Sequence, residues 1–90
     1  MVKTHEVTLD TAEFVQFTNS DYLIMKIGDI AVNDYVLFKE VKTQLEVSGI
    51  SGALDSVTIE TGLFRMTSIR QIIKSEGLKD GYALVIVNKL

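Results

Sequence analysis

The sequence predicts a small α+β domain that is mostly β, and two observations support this fold class. The first is the order of the predicted segments: a strand, a short helix and then several strands, which is typical of α+β folds and partly open barrels. The second is the run at residues 82–87, which is apolar at successive positions, as in a central strand. The length of 90 residues corresponds to a single domain, residues 1–90.

The amino-terminal elements are predicted to be a strand and a short helix. Residues 3–9 alternate between polar and apolar side chains, and His5 lies on the apolar face of this strand. Asp10 precedes Glu13 by three residues, which is the spacing of a capping box. We therefore expect a helix over residues 11–18.

The remaining segments are predicted to be strands and loops. Strands are expected at residues 22–27 and 35–41, where apolar side chains follow turn residues. Residues 47–53 are small, polar and glycine-containing, which predicts a loop. Residues 57–73 fit one long or two short strands, but the isoleucines near their end also recur at helical spacing. Periodicity alone leaves strand and helix open for residues 67–75.

The composition limits the chemistry that the chain can perform. It contains no cysteine and one histidine, His5, so we expect no disulfide, no metal site, no cofactor and no catalytic residue. The start of the chain lacks the apolar stretch of a secretion signal, and no apolar run is long enough to span a bilayer. The sequence therefore predicts a cytoplasmic protein without membrane contacts.

Positive charge is concentrated in one segment of an acidic chain. The formal net charge is −3, which does not favour nucleic acid in general, but residues 65–79 hold four Lys or Arg side chains against one acid, Glu76. Such a segment is often a solvated strand face, and a basic groove for nucleic acid is the functional alternative. The predicted nucleic-acid-binding residues are Lys26, Arg65, Arg70, Lys74 and Lys79.

Short motifs distributed along the chain resemble those of one known family. The motifs are His5-Glu6-Val7, Val32-Asn33-Asp34-Tyr35-Val36-Leu37, Thr61-Gly62 and Gly77-Leu78-Lys79-Asp80-Gly81-Tyr82. In this order, and over nearly the whole chain, they are similar to the motifs of short phage and prophage proteins of the ASCH group in the PUA-like superfamily. The resemblance implies a small PUA-like β-barrel of about five strands with one or two short helices. It also implies a strand at residues 65–73.

The chain departs from this group in the cleft where a nucleotide or nucleic acid is thought to bind. By the resemblance, Leu23 stands where the group commonly has Glu, Met25 where it has Arg, and Leu63 where Arg often follows Thr-Gly. These replacements remove paired hydrogen-bonding groups that would hold a phosphate or a base edge. Strand alternation places Leu23 and Met25 on one side, so the pair is expected either to collapse into the core or to line an open cleft. The predicted cleft residues are His5, Leu23, Met25 and Leu63.

The residues and the resemblance together predict a small non-catalytic module, of phage or prophage origin, that binds RNA or a nucleotide through the basic segment. The alternative is a protein-interaction module on the same barrel, which binds a host or phage protein through apolar surface at Leu23, Met25 and Leu63. A small amidohydrolase is the least favoured function, because the lysine, threonine and glutamate that related enzymes use on modified cytidines are not identifiable in this chain.

Overall fold

The computed structural model describes residues 2–48 and 52–90, which form one short helix and five strands. In chain order the elements are β1 (Thr4–Leu9), α1 (Thr11–Thr18), β2 (Tyr22–Lys26), β3 (Tyr35–Ser48), β4 (Ala53–Ile73) and β5 (Tyr82–Lys89). The prediction of an α+β chain that is mostly β is therefore confirmed. No helix in these residues is both long and apolar enough to cross a membrane.

The five strands form one mixed sheet with the order β1-β3-β4-β5-β2. β1 and β3 are parallel, and the other three pairs are antiparallel. β1 and β2 are the two edges of the sheet and do not pair with each other in the described residues, so the five strands do not close into the predicted β-barrel in this part of the chain. Helix α1 follows β1 directly, packs against β1 and β3, and covers one face of the sheet.

The core lies between α1 and the face of the sheet that we call the inner face; the opposite surface is the outer face. Phe14 and Phe17 of α1 are buried, and the ring centroids of Phe17 and Phe38 are 4.6 Å apart. Aromatic side chains in such contact bury a large apolar area. The buried apolar residues of the core include Leu9, Phe14, Phe17, Met25, Val36, Phe38, Ile69, Val85 and Val87.

Helix α1 has the capping box predicted from Asp10 and Glu13. The Asp10 carboxylate accepts a hydrogen bond from the Glu13 backbone N–H at 2.8 Å, and the Glu13 carboxylate accepts one from the Asp10 N–H at 3.3 Å. At the other end, where helix carbonyls lack partners within the helix, Lys89 Nζ donates to the carbonyl oxygens of Thr18 and Ser20. β5 therefore holds the end of α1 against the sheet.

β4 is one continuous strand, so the prediction of a strand at residues 65–73 is confirmed. Its pairing with β5 shifts between Ile69 and Gln71, where Arg70 is an extra residue that forms a β-bulge. The bulge returns Ile72 to the inner face three residues after Ile69, and both isoleucines contact the core. A bulge inside a strand therefore produced the spacing that also fits a helix.

The apolar run at residues 82–87 forms most of β5, which lies between β4 and β2. Val85 and Val87 are buried on the inner face, whereas Leu84 and Ile86 are half-buried on the outer face. The prediction of a strand inside the sheet is confirmed.

β3 and β4 extend beyond the rest of the sheet as a two-stranded ribbon, which we call the arm. It consists of residues 41–48 and 53–60, which pair only with each other. The arm begins where the pairing shifts between Lys39 and Val41, and Gly62 in β4 has a φ of 93° at this irregularity. Glycine tolerates this backbone conformation because it has no Cβ. The arm contributes to the elongated shape, whose principal extents are 49, 30 and 27 Å.

The strand pairing of the arm extends further than the sequence predicts. Residues 47–53 are predicted to form a loop, but Ser48 pairs with Ala53. The loop prediction is therefore wrong at both ends of this segment, because backbone hydrogen bonds can form regardless of its small polar side chains. Residues 49–51 lie outside the described residues.

Candidate functional site

Two of the predicted cleft residues point into the core. Leu23 and Met25 lie on the inner face of β2, opposite Val85 and Ala83 of β5, as strand alternation predicts. Met25 is 6% exposed, and Leu23 is half-buried against the same core. Of the two arrangements considered for this pair, the structure shows collapse into the core.

The four predicted cleft residues do not line one pocket. Leu23 borders a cavity of about 210 Å³ between α1 and β2, whereas Leu63 is 57% exposed at the base of the arm. Met25 contacts the core, and His5 lies in β1 beside Asp34. The structure therefore does not bring His5, Leu23, Met25 and Leu63 together.

The cavity beside Leu23 is not suited to an anion. Its lining combines the apolar side chains of Leu9 and Phe17 with Glu13 and Gln16 from α1. The described lining residues include an acid and an amide but no cation that would bind a phosphate. The cavity beside Leu23 therefore offers no cationic side chain among its described lining residues to a phosphate.

A hydrogen-bonded cluster around Asp34 fastens the segment between β2 and β3 to β1. The Asp34 carboxylate accepts a hydrogen bond from His5 Nε2 at 2.8 Å. It also accepts bonds from the backbone N–H groups of Lys3 at 3.1 Å and Ala31 at 3.0 Å. These hydrogen bonds lower the pKa of Asp34 from 3.8 to about 2. The bond from His5 has the largest effect, and the two backbone bonds follow. The carboxylate is therefore held as an anion.

Asp29 adds a second carboxylate to this cluster. Its Oδ1 lies 3.9 Å from His5 Nδ1, and its Oδ2 lies 3.7 Å from Lys3 Nζ. Asn33, in the same segment, has a φ of 77°, and its backbone N–H donates to the Ile69 carbonyl at 2.8 Å. Across residues 2–48 and 52–90, no group of three or more His, Asp or Glu side chains is arranged to hold a metal ion. The arrangement fits a structural role.

Three of the five predicted cationic residues come together at one end of the sheet. Lys26 ends β2 and pairs with Tyr82 of β5, and Lys74 and Lys79 line a hollow of about 210 Å³ that includes Tyr82. Lys79 Nζ lies 5.6 Å from the centroid of the Tyr82 ring. We call this group the lysine corner: Lys26, Lys74, Lys79 and Tyr82.

Arg65 and Arg70 do not belong to the lysine corner. Both lie in β4, where Arg70 is the bulge residue and Arg65 pairs with Phe38. Arg65 precedes Lys74 by nine residues along an extended chain, which corresponds to roughly 25–30 Å. The structure therefore does not form one groove from all five predicted cations.

The turn between β4 and β5 builds the lysine corner. The Tyr82 N–H donates to the Lys79 carbonyl at 2.9 Å, which closes the turn. Gly81 has a φ of 83°, and its carbonyl accepts a hydrogen bond from the Ile27 N–H at 3.0 Å. The turn is therefore fixed to the end of β2, where Lys26 lies.

Acidic side chains accompany the lysines of this corner. Asp80 lines the same hollow, and Glu76 is exposed in the same turn. Three lysines against two acids leave a small local excess of positive charge in a chain whose net charge is −3.

An apolar surface on the outer face, beside the free edge of β2, is not evident from the sequence. Tyr22 and Ile24 are each 57% exposed, and Ile73 is 37% exposed. Leu84 and Ile86 are half-buried between them. We call these five residues the β2–β5 patch. The sequence does show that residues of β2 are apolar, but it does not show that this strand lies at an edge of the sheet and exposes them.

A second apolar surface lies at the base of the arm. Leu63 and Phe64 are 57% and 66% exposed there. They belong to a groove of about 340 Å³, which we call the base groove, lined by Leu37, Lys39, Glu40, Glu60, Gly62, Leu63 and Phe64. Leu63 is the one predicted cleft residue that lies in this groove.

A scan against protein-family models and a search of curated proteins find no match for the chain. The fold and the sites define a small α+β domain, mostly β, with an open five-stranded sheet in its described residues. Its distinguishing surfaces are the lysine corner, the β2–β5 patch and the base groove.

Proposed function

We propose that this protein is a non-catalytic module that binds RNA or a nucleotide at the lysine corner. The observation that carries the proposal is that three lysines lie at the same end of the sheet as the half-buried Tyr82: Lys79 over its ring, Lys74 in the same hollow, and Lys26 opposite it in β2. The motif resemblance supports it, and we extend the proposal to an ASCH-type, PUA-like origin in a phage or prophage and to a cytoplasmic location.

The lysine corner offers two kinds of contact to a single strand. Lysine ammonium groups are point charges on flexible chains that bind phosphates, and an aromatic ring offers a face on which a base stacks. Lys79 lies over the Tyr82 ring, so we expect its ammonium group to move to a phosphate when a base occupies that face. Lys26 and Lys74 supply the neighbouring charges.

Three lysines imply weak binding that depends strongly on salt. For single strands, the slope of log K against log salt is about −0.7 for each phosphate contact, so three contacts predict a slope of about −2. The nearby acids Glu76 and Asp80 oppose the approach of phosphates. We therefore expect dissociation constants within the non-specific range of roughly 10⁻⁶ to 10⁻⁴ M.

Fluorescence anisotropy with labelled single-stranded oligouridine at about 50 mM salt tests the proposal. The double variant Lys74→Ala, Lys79→Ala should bind about tenfold more weakly and show a salt slope that is shallower by about 1.4. The control Lys42→Ala, Arg65→Ala also removes two positive charges, but far from the corner, and should bind as the wild type does. Equal losses in the two double variants, or no binding by the wild type, would contradict the proposal.

The aromatic ring is tested separately from the charges. Tyr82→Phe keeps the stacking surface and should leave the affinity unchanged. Tyr82→Leu keeps the apolar bulk but removes the ring, and it should weaken binding by about 1 kcal/mol or more. If the Leu variant binds like the Phe variant, phosphate contacts alone explain the affinity and the base does not stack on Tyr82.

The β2–β5 patch supports a second candidate function, a protein-interaction module. The outward edge of β2 is unpaired in the described residues, and Tyr22 and Ile24 lie beside it on the outer face. An extended segment of a host or phage protein would add a strand to this edge and pack alternate apolar side chains on the patch. Peptides selected from a random library on the wild type, with counter-selection on Ile24→Lys, should show that alternation. Peptides that bind both variants equally would contradict this function.

A further inference from the structure

The arm carries apolar side chains that remain exposed in the folded single chain. Its two strands pair only with each other, and an isolated two-stranded ribbon is marginally stable in water. Leu45 and Leu54 are 65% and 64% exposed on this ribbon. Exposed leucines on a ribbon of marginal stability indicate a contact surface.

The two faces of the arm differ in charge. Strand alternation and pairing place uncharged side chains together on one face: Thr43, Leu45, Leu54, Ser56 and Thr58. Among the side chains that the structure describes, the charged residues beyond the arm's base lie on the opposite face: Lys42, Glu46 and Asp55. The face with the two exposed leucines is therefore uncharged in its described side chains except for Glu60 at the arm's base, and we call it the neutral face; it suits contact with another protein surface.

The neutral face of the arm continues into the base groove. Leu37, Lys39 and Leu45 lie on the same side of β3, because the extra residues at the pairing shift belong to β4. Leu63 and Phe64 add exposed apolar side chains to the groove. One continuous surface thus carries both a projection, formed by the arm leucines, and a recess.

We propose that a second copy of this chain covers this surface. In a two-fold pair, the neutral arm face of each copy lies over the base groove of the other, so that Leu45 and Leu54 contact the partner's Leu63 and Phe64. A two-fold interface uses the same patch on both subunits, and a patch that carries both a projection and a recess meets this requirement. This inference goes beyond the proposed function and does not depend on it.

The size of the arm supports reciprocal docking. Two strands about 4.8 Å apart, with the eight residues of each strand rising about 3.4 Å per residue, give an arm face of roughly 10 by 27 Å. A stable interface buries about 800 Å² of accessible surface on each partner, which is more than the arm face alone provides. A partner must therefore cover the base groove as well, and the two-fold pair covers both arms and both grooves.

Charge also permits this pairing. Each chain has a net charge of −3, so most surfaces of two copies repel each other. The arm leucines bring no charge to the groove, where Lys39 Nζ already lies 3.6 Å from carboxylate oxygens of Glu6 and of Glu60. Contact through the neutral arm face therefore avoids bringing the like charges of the two copies together.

Sedimentation equilibrium across a range of concentrations tests the proposal. We expect the wild type to reach twice the chain mass of 10.0 kDa as concentration rises. Leu45→Ser with Leu54→Ser, the arm variant, should raise the dimer dissociation constant about tenfold or more. Tyr22→Ser with Ile24→Ser removes two apolar side chains of similar exposure from the β2–β5 patch and should leave dimerisation unchanged. A monomeric wild type, or equal losses in the two variants, would overturn the proposal.

Mixing two defective variants tests the reciprocal geometry itself. Leu63→Gln with Phe64→Gln, the groove variant, should also be largely monomeric. A mixture of arm and groove variants restores one intact pairing, between the arm of one chain and the groove of the other, and should associate more tightly than either variant alone. All four positions are more than half exposed, so both variants should fold, which circular dichroism checks. No gain in association on mixing would rule out docking of the arm on the groove.

Discussion

His5 Nε2 lies 2.8 Å from the Asp34 carboxylate, and this contact joins the edge strand β1 to the segment that leads into β3. The two residues are 29 positions apart in the chain, so their bond closes a long segment that includes α1 and β2. The Lys3 and Ala31 backbone N–H groups donate to the same carboxylate. Asp34 therefore accepts the hydrogen bonds that hold β1 next to the start of β3, with which it pairs in parallel.

We expect the stability that Asp34 contributes to be lost in acid. Its pKa is about 2 in the folded chain, against an ordinary value of 3.8, so the folded chain takes up this proton less readily than the unfolded chain. The contribution is therefore complete well above pH 4, falls as the pH drops from about 4 to about 2, and is absent below that range. Asp34→Asn should lower the urea midpoint at pH 7, and the difference from the wild type should narrow across this window.

Asp29→Asn is the control for this measurement, because it removes the same charge from the same cluster at a side chain that is 75% exposed. Its urea midpoint should stay close to that of the wild type at every pH. If both variants lose stability equally at pH 7, the total charge of the cluster, and not the hydrogen bonds to Asp34, explains the effect.

The bulge at Arg70 predicts different costs for two nearby isoleucines. Ile69 is 1% exposed on the inner face, and Ile73 is 37% exposed on the outer face. Ile69→Val should therefore lower the free energy of unfolding by about 0.5–1.5 kcal/mol, and Ile73→Val should change it by less than about 0.5 kcal/mol. Denaturant titration measures both. Equal costs would mean that Arg70 does not form the bulge that turns these residues to opposite faces.

The features that sequence predicts correctly depend on neighbouring residues. The capping box of Asp10 and Glu13 spans three residues, and the alternation of Leu23 and Met25 spans two, so each can be recognised without knowledge of the fold. The strand at residues 82–87 follows from its own apolar composition.

The features that sequence does not predict depend on contacts between distant segments. The bond between His5 and Asp34, the meeting of Lys26 with Lys79 around Tyr82 and the free edge of β2 each require the strand order β1-β3-β4-β5-β2. A count of charges over residues 65–79 groups Arg65 with Lys74 and Lys79, because such a count does not show how far apart the side chains lie in the sheet. Small polar residues at the end of the arm indicated a loop, although backbone pairing continues through Ser48.

Replacement of the helix cap should lower stability by a modest amount. Asp10→Ala removes the acceptor of the Glu13 N–H bond and should cost about 0.5–2 kcal/mol in the free energy of unfolding. Asp10→Asn keeps an acceptor oxygen and should cost less than half as much. An alanine variant as stable as the asparagine variant would show that the packing of Phe14 and Phe17, and not the cap, determines where α1 begins.

Charged side chains placed at Leu23 and Met25 test whether the inner side of β2 belongs to the core. Both side chains face the core and Met25 is 6% exposed, so Leu23→Glu with Met25→Arg places one charge at a half-buried position and the other at a buried one. Even if the new side chains pair, their desolvation should lower the free energy of unfolding by at least about 3 kcal/mol.

The matched control introduces the same two charges on the outer face of the same strand. Ile24→Glu with Tyr22→Arg alters positions that are 57% exposed, and it should change the free energy of unfolding by less than about 1 kcal/mol. A large loss in the first variant and a small loss in the second, measured by urea titration, would mean that the inner side of β2 belongs to the core. Any ligand would then have to bind elsewhere, as it does in the proposal for the lysine corner. If the first variant is as stable as the control, the inner side of β2 is accessible to water, and a cleft beside Leu23 becomes the better candidate for the ligand site.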